Sequence, residues 1–182
     1  LNFRYRLFRW LYSCSLRNAQ TVIVPSLGLF NLCLKWGVPR GKIQLVYNSV
    51  DLQAPLGDVA QGSSIDCLTI CRLTPWKGVD ELIQYCANHN LELVVAGDGP
   101  ERTSLQALAA ALQAKVEFTG NISNESVRHL LARSRIFVLN SYYEGLPHAL
   151  IEARASGVLS IGRKGTGSEE VINDDCDGYL VR

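Results

Sequence analysis

Arg72, Lys77, Glu144 and Glu152 set the chemistry this sequence can attempt. Arg72 and Lys77 lie between an apolar run (67–71) and an amphipathic one (79–88), and Gly78 follows directly. Two cations around a strand-to-helix turn, with a glycine that lets a ligand approach the backbone, suit a diphosphate. Two solvated surface cations fit the same spacing. Glu144 and Glu152 flank Pro147, a residue suited to the first turn of a helix. The free amides of such a turn favour an anion. Glu152 stands inside the apolar run 149–153 and needs a partner there, because an unpaired buried charge is costly. Ribose hydroxyls would serve, and so would His148, one helical turn earlier on the same face. Spacing leaves both readings open.

The remaining candidates are weaker. Gly97-Asp-Gly-Pro100 matches half of a dinucleotide fingerprint, but it follows a second strand and lacks the third glycine, so it reads as a turn that ends a strand. Gly165-Thr-Gly-Ser-Glu-Glu170 is another glycine-rich loop, able to bring backbone amides to an anion. His89, His129 and His148 have no metal-ligand spacing, and Cys14, Cys33, Cys67, Cys71, Cys86 and Cys176 have no zinc-finger spacing. No metal site is expected. Cys67, Cys71 and Cys86 lie in apolar segments and are expected as core thiols of a reducing compartment.

The elements that must position these residues alternate. Strands are expected over 67–71, 91–96, 115–119, 135–139, 158–161 and 178–181. Helices are expected over 79–88, from Pro100 through 105–113, over 124–134 with a cap at Ser123 or Asn124, and over 147–156. Alternation at this spacing predicts an α/β, Rossmann-like parallel sheet with helices on both faces. In such sheets ligands sit at the carboxyl ends of the strands. A shorter series precedes it: a basic helix, a strand over 21–24, a helix over 27–36 and a strand over 43–47.

The 182 residues allow one domain plus part of another. Hydrophobic residues at 47% and charged residues at 19% exclude an intrinsically disordered chain. The net charge of +1 speaks against nucleic acid as a partner, but it averages two halves. Residues 1–50 hold seven basic residues (Arg4, Arg6, Arg9, Arg17, Lys35, Arg40, Lys42) and no acid, whereas residues 51–182 carry a net −6. The basic part is expected nearer something anionic. No apolar run reaches the roughly 18–20 residues of a membrane span, and residues 1–17 lack the apolar core of a signal peptide. With no Met even at position 1, the chain is expected to be an excerpt of a longer protein. Residues 1–52 read as the tail of a preceding, partial α/β domain, 53–64 as a Gly, Pro and Ser-rich linker, and 65–182 as the main domain.

In order and spacing, Asn48-Ser-Val-Asp51, Arg72, Lys77-Gly78, Gly97-Asp-Gly-Pro100, Phe118-Thr-Gly120, Ser141-Tyr-Tyr-Glu-Gly-Leu-Pro147, Glu152-Ala153, Gly157, Glu170-Val-Ile172 and Asp177-Gly-Tyr-Leu-Val181 form one pattern. It resembles the retaining, family-4 type of GT-B glycosyltransferase. The resemblance implies the donor-binding domain over 65–182 and the end of the acceptor-binding domain over 1–52. It implies that Arg72 and Lys77 neutralise a donor diphosphate, without a required metal or other cofactor. It also implies that the backbone of Gly145, Leu146, His148 and Ala149 holds phosphate or sugar, and that Glu152 binds the ribose. Gly120 and Asn121 would line the base pocket, Glu144 would face the transferred sugar, and Glu170 would match an acidic residue of the last glycine-rich loop. Ser49 replaces the usual Gly of the linker motif, and Ser168-Glu169 stands where Ile-Pro is common.

The activity implied is transfer of a hexosyl group from a UDP- or GDP-sugar to a glycan or lipid-linked acceptor, in surface polysaccharide biosynthesis. A cytoplasmic location is implied, with peripheral contact between the basic segment and the anionic inner face of the plasma membrane. The alternatives are a dehydrogenase-like nucleotide domain and a catalytically silent nucleotide-sugar-binding or assembly subunit.

Overall fold

The computed structural model describes residues 3–50 and 65–182. The expected linker 53–64, and Asp51 of the motif that begins at Asn48, lie outside the described residues. The chain divides into two compact units, Leu1–Asn48 and Ser49–Arg182.

The first unit comprises α1 (Phe3–Asn18), β1 (Val22–Val24), α2 (Leu27–Lys35) and β2 (Ile43–Leu45). The strands are parallel, with Val22 opposite Ile43. Val22 and Val24 point inward and Ile23 outward, and the two valines pack with Cys33, Val38 and Ile43 into a small core. Ser26 caps α2 by accepting the Leu29 amide at 3.1 Å, which satisfies one of the amides a helix start leaves over. The helix stops at Lys35, short of the expected Trp36, because Gly37 takes a positive φ of 80° and turns the chain.

The second unit carries six parallel strands: β3 (Ile65–Ile70), β4 (Leu93–Ala96), β5 (Val116–Gly120), β6 (Ser134–Leu139), β7 (Leu159–Arg163) and β8 (Tyr179–Val181). Four helices connect them: α3 (Val79–Asn88), α4 (Arg102–Ala111), α5 (Asn124–Arg133) and α6 (His148–Ala155). Spatial order is β5-β4-β3-β6-β7-β8, so the sheet is Rossmann-like, and its order reverses between β3 and β6. β4, Leu-Val-Val-Ala, is buried along its whole length, as a central strand covered on both faces must be.

Side chains alternate between two cores. Cys67, Leu93 and Val95 pack against Leu82, Ile83 and Leu105 of α3 and α4. Leu68, Val94 and Phe137 pack against Leu131, Leu150 and Ala153 of α5 and α6. The expected elements shift by a few residues at their ends. α4 begins at Arg102, because residues 99–101 form the turn that leads into it. Pro147 is the cap of α6 rather than its first helical residue. A 3-10 turn over Pro75–Lys77, not foreseen, delivers Lys77 to the start of α3.

Candidate functional site

A cavity of about 670 Å³ opens at the carboxyl ends of β3, β4 and β5. Arg72 lines it from the segment after β3, Asp98 from the turn after β4, Asn121 from the exit of β5, and Glu152 from α6. Ile122 and Val127 supply apolar wall. A smaller cavity of about 340 Å³ lies at the opposite ends of β7 and β8. It is lined by Arg154 and Asp177, which pair with each other at 2.6 Å.

Glu152 is half-buried, and its carboxylate has no hydrogen bond or ion pair among the described residues. α6 buries Leu150 and Ala153 and turns Glu152 toward the cavity. His148, one turn back, is exposed and makes no ion pair with it. The Arg72 side chain is likewise exposed and without a partner among the described residues.

Lys77 and Glu144 behave differently. Lys77 Nζ and Glu144 Oε1 lie 2.6 Å apart, with side chains 17% and 12% exposed. The pair spans the point where strand order reverses, since Lys77 follows β3 and Glu144 follows β6. Both act electrostatically on Cys71, which lines the cavity. Burial pushes the Cys71 thiol up to about 11, and the nearby Lys77 only partly offsets this. Cys67 and Cys86 are buried as expected, and Cys71, half-buried, packs against both cores and also forms part of the cavity wall.

The two glycine-rich stretches acquire structural reasons. A Cβ on Gly97 would lie 2.0 Å from the Cys71 carbonyl oxygen, and one on Gly99 would lie 2.2 Å from that of Leu73. The chain after β3 runs directly against the turn after β4, tied by the Leu73 amide to the Asp98 carbonyl at 2.9 Å. Asp98 accepts the Gly99 amide at 2.7 Å and Arg102 at 2.8 Å, and these bonds hold its carboxyl below the usual range. The loop 165–170, as a glycine-rich pattern, is able to offer amides to an anion. Instead, the Gly165 amide donates to Glu169 Oε1 at 2.8 Å, that of Gly167 to the Glu144 carbonyl at 3.0 Å, and that of Ser168 to Thr166 Oγ1 at 3.2 Å. Those three amides are already bonded within the fold.

Of the remaining expected residues, Gly120 is buried with a φ of 71°, and its carbonyl accepts the Gly97 amide at 2.9 Å. Gly145 and Leu146 lead into α6. Ala149 packs toward the core, which leaves its backbone as the part open to a ligand. No acceptor side chain caps α6, and the first amides of a helix have no partner within it. Glu170 lies in the short turn Gly167–Glu170 after β7. Ile122 and Val127 line the cavity without having been singled out, and Cys71 and Asn124 line it although the sequence marks them only as a core thiol and a candidate helix cap, since nothing in an apolar or turn residue marks it as a wall. Among the described residues, no group of three or more His, Cys, Asp or Glu side chains could hold a metal ion. None of the described helices is long and apolar enough to cross a membrane.

The sequence model of the family described as Glycosyl transferases group 1 matches residues 60–182. The chain belongs to that family. The chain is 31% identical over 166 residues to a phosphatidylinositol N-acetylglucosaminyltransferase subunit of Arabidopsis thaliana, covering 86% of the chain and 37% of that protein. It is 34% identical over 110 residues to a "GDP-mannose-dependent alpha-mannosyltransferase" of Corynebacterium glutamicum, covering 60% of the chain and 26% of that protein. The structure of Anabaena HepE in complex with UDP-glucose superposes with a TM-score of 0.79 at 23% identity, over 92% of this chain and 51% of that one. The fold is thus that of the GT-B glycosyltransferases. The chain spans about a third of the length of the Arabidopsis relative.

Proposed function

We propose that this glycosyltransferase chain is the donor-binding half of an enzyme that moves a hexosyl group from a UDP- or GDP-sugar to a glycan or lipid-linked acceptor, with retention at the anomeric carbon. One observation carries the reading: the Lys77–Glu144 pair, at 2.6 Å, lies within electrostatic reach of Cys71, a wall residue of the cavity that Arg72 and Glu152 also line. The nucleoside occupies the cavity, with its ribose hydroxyls on Glu152 and its base against the backbone at Gly120 and Asn121. The diphosphate meets Arg72, Lys77 and the backbone from Gly145 through Leu146 and His148 to Ala149. A lysine ammonium has three donors, so Lys77 reaches a phosphate oxygen without releasing Glu144, whose carboxylate faces the transferred sugar. Preorganised cations stabilise the departing diphosphate, which is the work a divalent ion would otherwise do.

The names of the relatives support a sugar nucleotide, UDP-glucose for HepE and GDP-mannose for the Corynebacterium protein, and the base is for experiment to decide. Residues 1–48 end the acceptor-binding domain in this reading. The seven basic residues and absent acids of 1–50 favour contact with the anionic inner face of the plasma membrane, in surface polysaccharide biosynthesis. The Arabidopsis relative is named as a subunit, which favours a second reading, a nucleotide-sugar-binding subunit of an assembly. Calorimetric titration with UDP, GDP, ADP and NAD, with and without magnesium, tests the first reading. Selective binding of UDP or GDP supports it, and preference for NAD overturns it. Turnover of the bound sugar nucleotide by the full-length protein separates an enzyme from a silent subunit.

A further inference from the structure

One carboxylate outside the cavity gathers three side chains. Glu81 lies in the first turn of α3, one turn beyond Lys77. Its Oε1 accepts the Tyr142 hydroxyl. Its Oε2 accepts Asn140 Nδ2 at 2.8 Å and faces an Arg163 amino nitrogen at 3.4 Å. Asn140 Nδ2 also donates to the Gly78 carbonyl at 3.0 Å, and the Tyr142 amide donates to the Trp76 carbonyl at 2.8 Å. The Arg163 guanidinium covers the Tyr142 ring at 3.8 Å.

These contacts share one direction. Each strut from Asn140 and Tyr142 runs from the chain leaving β6 to the turn and helix that carry Lys77, and Glu144 comes two residues after Tyr142. The aromatic side chains Trp76, Tyr142 and Tyr143 are all exposed, while Ser141 and Leu146 of the same segment are buried, so the polar struts act where the segment reaches the surface. Gly78 permits the approach: a Cβ there would lie 2.6 Å from the Asn140 carbonyl oxygen. Bonds from Tyr142 and Asn140 hold the Glu81 carboxyl below the usual range, so it is ionised at neutral pH.

We propose that Glu81 is a positioning residue, clasping Asn140 and Tyr142 to the start of α3 so that Glu144 is held against Lys77 where the donor sugar meets its diphosphate. Glu81 does not line the cavity, and it acts on the donor only through the loop it anchors. The inference rests on the donor reading above.

The test pairs two measurements on Glu81→Ala, Glu81→Gln and Tyr142→Phe. Amide hydrogen exchange at Tyr142 reads the clasp, and titration with UDP, UDP-glucose, GDP and GDP-mannose reads the site. In Glu81→Ala, exchange at Tyr142 rises at least tenfold. The affinity advantage of the sugar nucleotide over its bare diphosphate is lost, and the bare diphosphate binds within twofold of the parent. Glu81→Gln, which keeps the shape and loses the charge, retains part of that advantage. Tyr142→Phe gives a smaller change in the same direction, and adding it to Glu81→Ala changes nothing further. General loosening of the fold would weaken both ligands alike, which overturns a positioning role. Unchanged exchange and an unchanged sugar advantage in Glu81→Ala overturn the clasp itself. If the parent binds none of the four nucleotides while Glu81→Ala still speeds exchange, the donor reading fails, and the assigned role falls with it.

Discussion

Lys77 and Glu144, 67 residues apart in the chain, meet at 2.6 Å on either side of the point where strand order reverses. Neither has another partner among the described side chains, and both are mostly shielded from solvent. A shielded ion pair of this kind constrains two loops at once, because removing one member leaves the other charge uncompensated.

Lys77→Ala therefore acts on stability and on binding. Leaving Glu144 unpaired costs about 1–3 kcal/mol, and loss of a charge-assisted diphosphate contact weakens donor binding by roughly 10–100-fold. Adding Glu144→Gln to Lys77→Ala recovers much of the stability and none of the diphosphate affinity. Thermal unfolding and calorimetric titration of both variants check the two halves separately.

Glu152→Ala is expected to leave stability within about 0.5 kcal/mol, since the carboxylate has no partner to lose among the described residues. Nucleotide affinity falls roughly tenfold, the value of one or two hydrogen bonds to ribose. The parent, but not the variant, discriminates against 2′-deoxy-UDP or 2′-deoxy-GDP. Equal affinities of the parent for the ribose and deoxyribose forms would remove Glu152 from the ribose site.

Gly97→Ala is expected to cost more than about 4 kcal/mol. The residue has a φ of 126°, and its new Cβ would stand 2.0 Å from the Cys71 carbonyl oxygen. Gly157→Ala is the control: φ is 75° and nothing lies within 4 Å. It incurs only the left-handed backbone penalty of about 1–2 kcal/mol. Melting temperatures of the two variants should separate accordingly.

Thiol labelling has a pH signature. Cys176 is exposed, whereas burial raises the Cys71 thiol to about 11. A raised thiol pKa means less thiolate at pH 8, so alkylation there modifies Cys176 and spares Cys71. Labelling of Cys71 begins only as the pH climbs toward that raised value. Peptide mapping after iodoacetamide at pH 8 and pH 10 checks the order, and early modification of Cys71 would contradict its half-buried setting.

Local rules determined the alternation of elements in this protein. Apolar runs such as 93–96, the amphipathic period of 79–88 and the Ser123 cap, whose hydroxyl accepts the Ser126 amide at 3.2 Å, depend on neighbours within a few residues. So does the expectation that useful side chains follow strands. Other features are facts about the packed sheet. The strand order that sets β3 beside β6 decides that Lys77 reaches Glu144. The solvent-facing turn of α6 decides that Glu152 points to a cavity rather than to His148. Gly97 and Gly99 reveal their purpose only against the backbone of Cys71 and Leu73, and the loop 165–170 commits its amides to its own chain and to Glu144. Periodicity records which face of an element is apolar, but not which element lies against it. Long-range contacts between polar groups leave no period to read, so the Glu81 cluster emerged only once the chain was folded.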